Sequence, residues 1–215
     1  MTKKKATIID LEIGNIFSLK SALNFCGIET IVSSKISEIE KAENIILPGD
    51  GSFAYSMKKI KDKNLYSFLK NIKNTRKNLL GICVGMQLLF EKSSEHGETE
   101  GLNIFKGEIK PIPPYDSDNN KIDIPNINWC PIFIENEDKK KTSILKGIDN
   151  SSNMYFIHSY RVENYNKTDE ISSTEYFGNK ILAIVGNSNI VGFQFHPEKS
   201  GEIGLKLLKN YFKIN

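Results

Sequence analysis

Leu79-Leu80-Gly81-Ile82-Cys83-Val84-Gly85-Met86-Gln87-Leu88-Leu89-Phe90 decides the architecture. Residues 79–82 read as a buried strand and residues 85–90 as the start of a helix, with a sharp turn between them. Gly81 and Gly85 flank Cys83 in the pattern G-x-C-x-G. This is the cysteine counterpart of the G-x-S-x-G elbow, in which small neighbours let a strained turn project its nucleophile. A thiol at a helix N-terminus meets the positive end of the dipole, which favours thiolate. The Val84 amide follows the nucleophile and is placed to donate to an oxyanion. The pattern alone also suits a buried core cysteine in a glycine-flanked turn. Cys26, by contrast, falls on the apolar face of a helix, and Cys130 adjoins Trp129 in a loop with no evident partner.

Working outward, apolar runs at 6–9, 29–32 and 44–47 read as strands. Ile16, Leu19, Leu23 and Cys26 recur at near-helical spacing within 15–26, and Gly27 suits the end of that helix. Further helices are expected at 37–41, 53–61 and 65–73. Strand–helix alternation of this kind predicts an α/β fold, a mainly parallel sheet with helices on both faces. Sites in such sheets lie at the carboxyl ends of the strands. The second half differs. Residues 111–123 are polar and hold Pro113-Pro114, so they read as a loop. Strands are expected at 132–135, 154–160, 181–185 and 190–195 as antiparallel additions, with a closing amphipathic helix at 203–212. No internal repeat or domain boundary is evident, so residues 1–215 read as one domain.

Gly192-Phe193-Gln194-Phe195-His196-Pro197-Glu198 is the second constellation. In extended backbone, residues two apart point the same way. Pro197 fixes its own φ and pushes His196 toward extended geometry. His196 and Glu198 can then lie side by side, the carboxylate orienting the imidazole, as in an acid–base–orienter triad. A strand-terminal histidine alone is commonly structural; beside a cysteine elbow it reads as a base.

Composition excludes several classes. Lys plus Arg number 29 against 26 Asp plus Glu, a formal +3. The basic clusters at Lys3 to Lys5, Lys58-Lys59 and Lys139 to Lys141 are short and read as solvated, not as a nucleic-acid footprint. Three widely spaced cysteines without CxxC spacing argue against disulfides or zinc, and point to a reducing cytoplasm. The three histidines lack metal-ligand spacing, and no cofactor is expected. Residues 6–9 are too short for a signal-peptide core, and no apolar run spans a membrane.

Taken together, Ile8-Ile9-Asp10 with Gly14-Asn15, Leu47-Pro48-Gly49-Asp50-Gly51-Ser52-Phe53, the stretch 80–90, Tyr155-Phe156-Ile157-His158-Ser159-Tyr160 and the stretch 194–201 resemble the glutaminase subunits of imidazole glycerol phosphate synthase, within the class I glutamine amidotransferase family. The resemblance covers nearly the whole chain. It implies a flavodoxin-like fold and a Cys-His-Glu triad of Cys83, His196 and Glu198. It implies an oxyanion strand at 49–51, with the Gly51 and Val84 amides as donors. Gly49, Gln87, Glu95, Ser159 and Tyr160 would hold the amino-acid end of glutamine. A carboxylate such as Glu95 suits an α-ammonium, and backbone donors suit a developing oxyanion. Read without the family, Glu95 is equally an exposed loop acid and Gln87 a solvent-facing helix residue. Asn15, Pro125 and Trp129 would face a (β/α)-barrel synthase partner that uses the ammonia in histidine biosynthesis.

The sequence departs from the family at three places. Leu11-Glu12 stands where the family has Tyr-Gly, and Asp50 where it has valine in Pro-Gly-Val-Gly, a residue whose peptide flips in the active state. Ile124-Pro125-Asn126-Ile127-Asn128-Trp129-Cys130 keeps the proline and tryptophan of the Pro-His-Met-Gly-Trp-Asn pattern but changes Asn126, Asn128 and Cys130. Trp129 reads as an apolar anchor for a partner, or else as a core tryptophan of this subunit. An altered interface also fits a paralogous subunit that supplies ammonia for surface-sugar modification. A cysteine peptidase or γ-glutamyl hydrolase on the same fold, and a non-catalytic subunit, are further alternatives.

Overall fold

A computed structural model describes residues 4–134 and 143–214. The Lys139 to Lys141 cluster, Lys3 and Glu135 lie outside the described residues. In chain order the elements are β1 (Lys5–Ile9), α1 (Ile16–Phe25), β2 (Glu29–Ser33), α2 (Ile36–Ile39), β3 (Asn44–Leu47), α3 (Phe53–Asp62), α4 (Tyr66–Lys70), β4 (Asn78–Ile82), α5 (Val84–Gln87), β5 (Lys92–Ser93), β6 (Thr99–Glu100), β7 (Glu108–Pro111), β8 (Asn126–Pro131), β9 (Asn153–His158), β10 (Tyr160–Glu163), β11 (Glu170–Tyr176), β12 (Asn179–Asn187), β13 (Ile190–Phe193) and α6 (Gly201–Tyr211).

The central sheet has the order β11-β12-β13-β4-β3-β1-β2. The five strands from β13 to β2 run parallel, and β12 and β11 extend the sheet antiparallel. The inner strands β1, β3 and β4 are nearly continuous apolar runs with almost every residue buried, as a sheet covered on both faces requires. At the edge, β2 alternates between exposed and half-buried residues until the buried Ser33 at its end. Cys26 at the end of α1 is buried and reaches the Leu205 carbonyl of α6, which ties these two helices together.

The second half departs from the expectation in detail. The stretch 154–160 is not one strand. It divides at Ser159 into β9, which pairs with β8, and β10, which joins β7 in a four-stranded sheet of order β10-β7-β5-β6. The segment read as a loop around Cys130 is strand β8. Cys130 and Met154 pair on its buried side. The strand expected from 132 is only a bridge between Phe133 and Ser173. Strand β11 escapes notice because three consecutive polar residues in it, Ser172, Ser173 and Thr174, are all buried. The helix expected at 85–90 is a single turn, α5, whose peptide dipole is correspondingly small.

Candidate functional site

Strands β4 and β13 are parallel neighbours in register, with Ile82 beside Phe193. Cys83 directly follows one and His196 lies three residues past the other, so the two come together at the carboxyl end of the sheet. The Cys83 amide donates to the Phe193 carbonyl at 2.7 Å, which fixes the elbow to the base-bearing strand. Cys83 itself takes φ 53°, ψ −115°, outside the usual regions for a residue with a side chain. The flanking glycines are required: a Cβ on Gly85 would overlap the Leu47 carbonyl oxygen, and one on Gly81 would press on the Gly85 backbone at 2.6 Å.

The thiol of Cys83 is buried, points toward the Ile157 carbonyl at 3.7 Å, and has the Gln194 side-chain amide 4.0 Å away. His196 Nδ1 is paired with Glu198 Oε1 at 2.8 Å, and both side chains are almost wholly buried. His196 Nε2 closes no hydrogen bond of normal geometry. Burial opposes charge on His196, but Cys83 and Glu198 together outweigh it and push its pKa up to about 10. Pairing with Cys83 and Glu198 therefore favours the charged imidazole.

Cys83 lines a cavity of about 430 Å³ that also reaches Asp50, Gly51, Gln87, Glu95, Pro125 and Tyr160, whereas His196 and Glu198 line a small gap beside Gly49 and Asp50. Gln87 is not the solvent-facing residue that the sequence alone allows. It is buried, and its amide donates to Gln194 Oε1 at 3.0 Å and to the Tyr160 carbonyl at 3.3 Å. Glu95 is not a free loop acid either. One of its oxygens accepts from the Phe53 amide at 2.6 Å, at the start of α3, leaving the other available to the cavity. Burial and then the Glu95 charge raise the pKa of Tyr160, placing those two side chains together. Ser159 lines the same wall.

Gly49 packs under the elbow, and its carbonyl accepts the Val84 amide at 3.3 Å. Gly51 sits exposed at φ 92° on the cavity rim. Asp50 Oδ1 lies 3.9 Å from His196 Nε2.

Reading the sequence missed three residues of the site, two of which line the cavity. Gln194 bridges Gln87 to the thiol side; its place two residues before His196 in an alternating strand was the available signal. Lys199 lines the cavity beyond Glu198. His158 is buried, its Nδ1 donating to the Tyr160 carbonyl at 2.8 Å, and burial holds its pKa down at about 4, so it is neutral.

Pro125 lines the cavity and leads into β8. Trp129 is 54% exposed, so it is not a core tryptophan; its ring packs edge-on against Tyr155 across the β8–β9 ribbon. Ile127 and Ile157, paired on the same side, are also exposed. Asn15 is exposed and caps α1, its side-chain oxygen accepting from the Ser18 amide. Among the described residues, no group of three or more His, Cys, Asp or Glu is placed to hold a metal ion. No helix among them is long and apolar enough to cross a membrane.

Residues 7–214 match the family model of glutamine amidotransferase class-I. The chain is 44% identical over 204 residues to the imidazole glycerol phosphate synthase subunit HisH of Caldanaerobacter subterraneus subsp. tengcongensis, covering 95% of each. It is 41% identical to the HisH protein of Lactococcus lactis, with 98% of each covered, and 39% identical to that of Aquifex aeolicus, with 96% and 95% covered. Among solved structures, a glutamine amidotransferase superposes with TM-score 0.71 at 16% identity, covering 97% of this chain and 99% of that one. PurLQS from Thermotoga maritima superposes with TM-score 0.69 at 20% identity over 99% of both. These two likenesses concern the fold, whereas the sequence relatives fix the kinship: this chain belongs to the class-I glutamine amidotransferase family, among the HisH subunits of imidazole glycerol phosphate synthase.

Proposed function

We propose that this chain is the glutaminase subunit of an imidazole glycerol phosphate synthase, hydrolysing glutamine to glutamate and supplying the ammonia for histidine biosynthesis. One observation carries the chemistry. A buried His196–Glu198 pair at 2.8 Å stands beside a cysteine held at positive φ on a parallel strand end, and that cysteine lines the cavity.

In this reading Cys83 attacks the side-chain carbonyl of glutamine as thiolate. The tetrahedral oxyanion is stabilised by the Val84 and Gly51 amides. Val84 N–H is occupied by the Gly49 carbonyl, so that carbonyl swings aside before the oxyanion forms. The charged His196 gives its Nε2 proton to the departing nitrogen, and ammonia leaves a glutamyl thioester. Neutral His196 then takes a proton from water, which attacks the thioester and returns Cys83 with release of glutamate. Glu198 keeps the imidazole in one orientation and stabilises its charged form. Glu95 takes the α-ammonium, with Gln87, Gly49, Ser159 and Tyr160 fixing the rest of the amino-acid end.

The ammonia acceptor in this reading is a (β/α)-barrel synthase subunit. Residues Asn15, Pro125 and Trp129 lie on the face proposed to meet it, and the exposed apolar ribbon of Ile127, Ile157 and Trp129 supports that choice. The whole chain serves as one glutaminase domain acting in the cytoplasm. Glutamine hydrolysis by the purified chain with its synthase partner tests the proposal. Cys83→Ala abolishes it, and retained hydrolysis in that variant would overturn the assignment.

A further inference from the structure

Away from the catalytic end of the sheet, four lysines converge on one cavity. Helix α6 carries Lys206 and Lys209, and Lys213 continues their spacing just past its end. Lys146 comes from the facing wall, directly after a turn of 3-10 helix at Ser143–Leu145. All four line a cavity of about 470 Å³ that no described Asp or Glu lines. The two walls are fixed to each other. The Asn210 side-chain amide donates to the carbonyls of Ile144 and Lys146, both at 2.9 Å. Lys206 Nζ rests against Gly147, where a Cβ would stand 2.6 Å from it. Elsewhere lysines find carboxylates: Lys59 and Lys63 hold Glu12, Lys92 holds Glu98 and Lys110 holds Glu108. Among the described residues none of these four does. Their summed charge exceeds the formal +3 of the whole chain. The helix dipole favours cations at the end of α6, which covers Lys209 and Lys213. It does not cover Lys206, one turn earlier, or Lys146 on another element. A second recess of about 270 Å³ adjoins the first and shares Ser143 and Lys213 with it. Lys4 and the amides of Asn44, Asn78 and Asn189 line this recess. Asn78 and Asn189 use side-chain N–H groups on Asn44 and on the Thr75 carbonyl, and their side-chain oxygens have no partner among the described residues. Asn44 and Asn78 open β3 and β4, so the recess lies at the amino ends of the strands, the opposite pole from Cys83.

We propose that the cavity of Lys146, Lys206, Lys209 and Lys213 binds a small polyphosphate anion, a chain of two or three linked phosphates, either free or as the tail of a nucleotide. Seven residues of helical path, from Lys206 to Lys213, rise about 10 Å. That is too far for one phosphate to bridge and suits a chain of them. The lysines repel one another across roughly a Debye length of 8 Å, and an anion of several charges relieves that repulsion. Where the anion is a nucleotide, the amide-lined recess takes its nucleoside, whose hydroxyl and amino groups meet the unused oxygens of Asn78 and Asn189. A single enclosed pocket differs from the broad stripe that a nucleic-acid backbone needs. The inference does not depend on the catalytic assignment, and it places the anion where glutamine does not compete.

The test is titration calorimetry of the full chain with sodium tripolyphosphate at low ionic strength. One site is expected. The double variant Lys206→Gln with Lys209→Gln weakens it about twentyfold, at about fivefold for each exposed ion pair lost. Lys146→Gln with Lys213→Gln weakens it as much from both walls, which covers the case of the first variant failing to fold. Lys58→Gln with Lys73→Gln removes the same charge from exposed positions elsewhere and binds as wild type. Adenosine triphosphate identifies the source of the phosphates. Tighter binding than tripolyphosphate, with the margin lost in Asn78→Ala, supports a nucleotide, and equal binding supports a free polyphosphate. The proposal is overturned if millimolar tripolyphosphate gives no binding heat, or if the Lys58 and Lys73 pair of substitutions weakens binding as much as the cavity variants. It is equally overturned if a single-stranded oligonucleotide or phosphatidylglycerol vesicles bind through the same lysines more tightly than either small anion, because the patch then serves a macromolecule or a membrane.

Discussion

Glu198→Gln removes one charge and keeps the side-chain shape, so it isolates what the carboxylate does for His196. The pair is 2.8 Å long, and the two side chains are 4% and 6% exposed, leaving no room for water to replace the lost interaction. A hydrogen bond to a charged group contributes about 1.5–3 kcal/mol. If the charged imidazole is the acid of the first step, kcat falls by about 10- to 150-fold, with the buried setting favouring the upper end. Stability carries a second signature. The folded pKa of His196 lies at about 10, above its ordinary 6.5, and Glu198 is one of the two groups that raise it against burial. A raised pKa stabilises the fold fully below the ordinary value, and that contribution is lost as pH rises through about 10. Wild type therefore melts well above Glu198→Gln at pH 6.5, and the gap narrows toward pH 10. Steady-state glutaminase assays of the complex give the first quantity and calorimetric melts across that range the second. A kcat within threefold of wild type, or a melting gap that does not change with pH, refutes the reasoning.

Two further outcomes follow from the geometry. Glu95→Gln still offers an oxygen to the Phe53 amide but no charge to the substrate α-ammonium. KM for glutamine rises by about 10- to 100-fold, as loss of a charge-assisted contact predicts, while the melting temperature holds; steady-state kinetics beside a thermal melt decides it. Trp129→Ala removes a half-exposed ring from the β8–β9 ribbon, so the lone chain keeps its stability. Its affinity for the synthase partner drops by about 2 kcal/mol or more, the scale of a tryptophan hot spot, and titration calorimetry reads it.

The parts legible in the sequence are those fixed by local rules. The elbow was visible because its glycines are demanded by backbone packing within a few residues, the Gly85 position against Leu47 above all. The His196–Glu198 pair was visible through Pro197, which keeps His196 extended, although residues Pro197–Lys199 then form a turn of 3-10 helix where the sequence reading had continued extended backbone. The inner strands were visible because burial on both faces leaves nearly unbroken apolar runs. What escaped depends on partners distant in sequence. Strand β8 alternates polar Asn126 and Asn128 with Ile127 and Trp129, and reads as a loop until β9 supplies its pairing. Strand β11 buries hydroxyls, which hydropathy counts as exposed. Gln87 gave no sign of burial because its partners, Gln194 and the Tyr160 carbonyl, come from the far half of the chain.

The departures from the family pattern therefore fall on surfaces that touch the chemistry. Asn126 lies 3.4 Å from His158 Nε2 within the buried side of the β8–β9 ribbon. The same ribbon receives the His196 amide at the Tyr155 carbonyl, 2.9 Å away, and presents the Ile157 carbonyl to the Cys83 thiol. Its opposite side exposes Ile127, Ile157 and Trp129. Two strands thus separate the proposed partner face from the nucleophile and its base, and β9 touches both catalytic groups directly while β8 reaches them through its pairing with β9. The ribbon contributes backbone carbonyls to both contacts, one to the His196 amide and one to the Cys83 thiol. Substitutions at 126–130 consequently act on both assembly and turnover, and the ratio of complex to lone-chain activity measures their effect more directly than either rate alone.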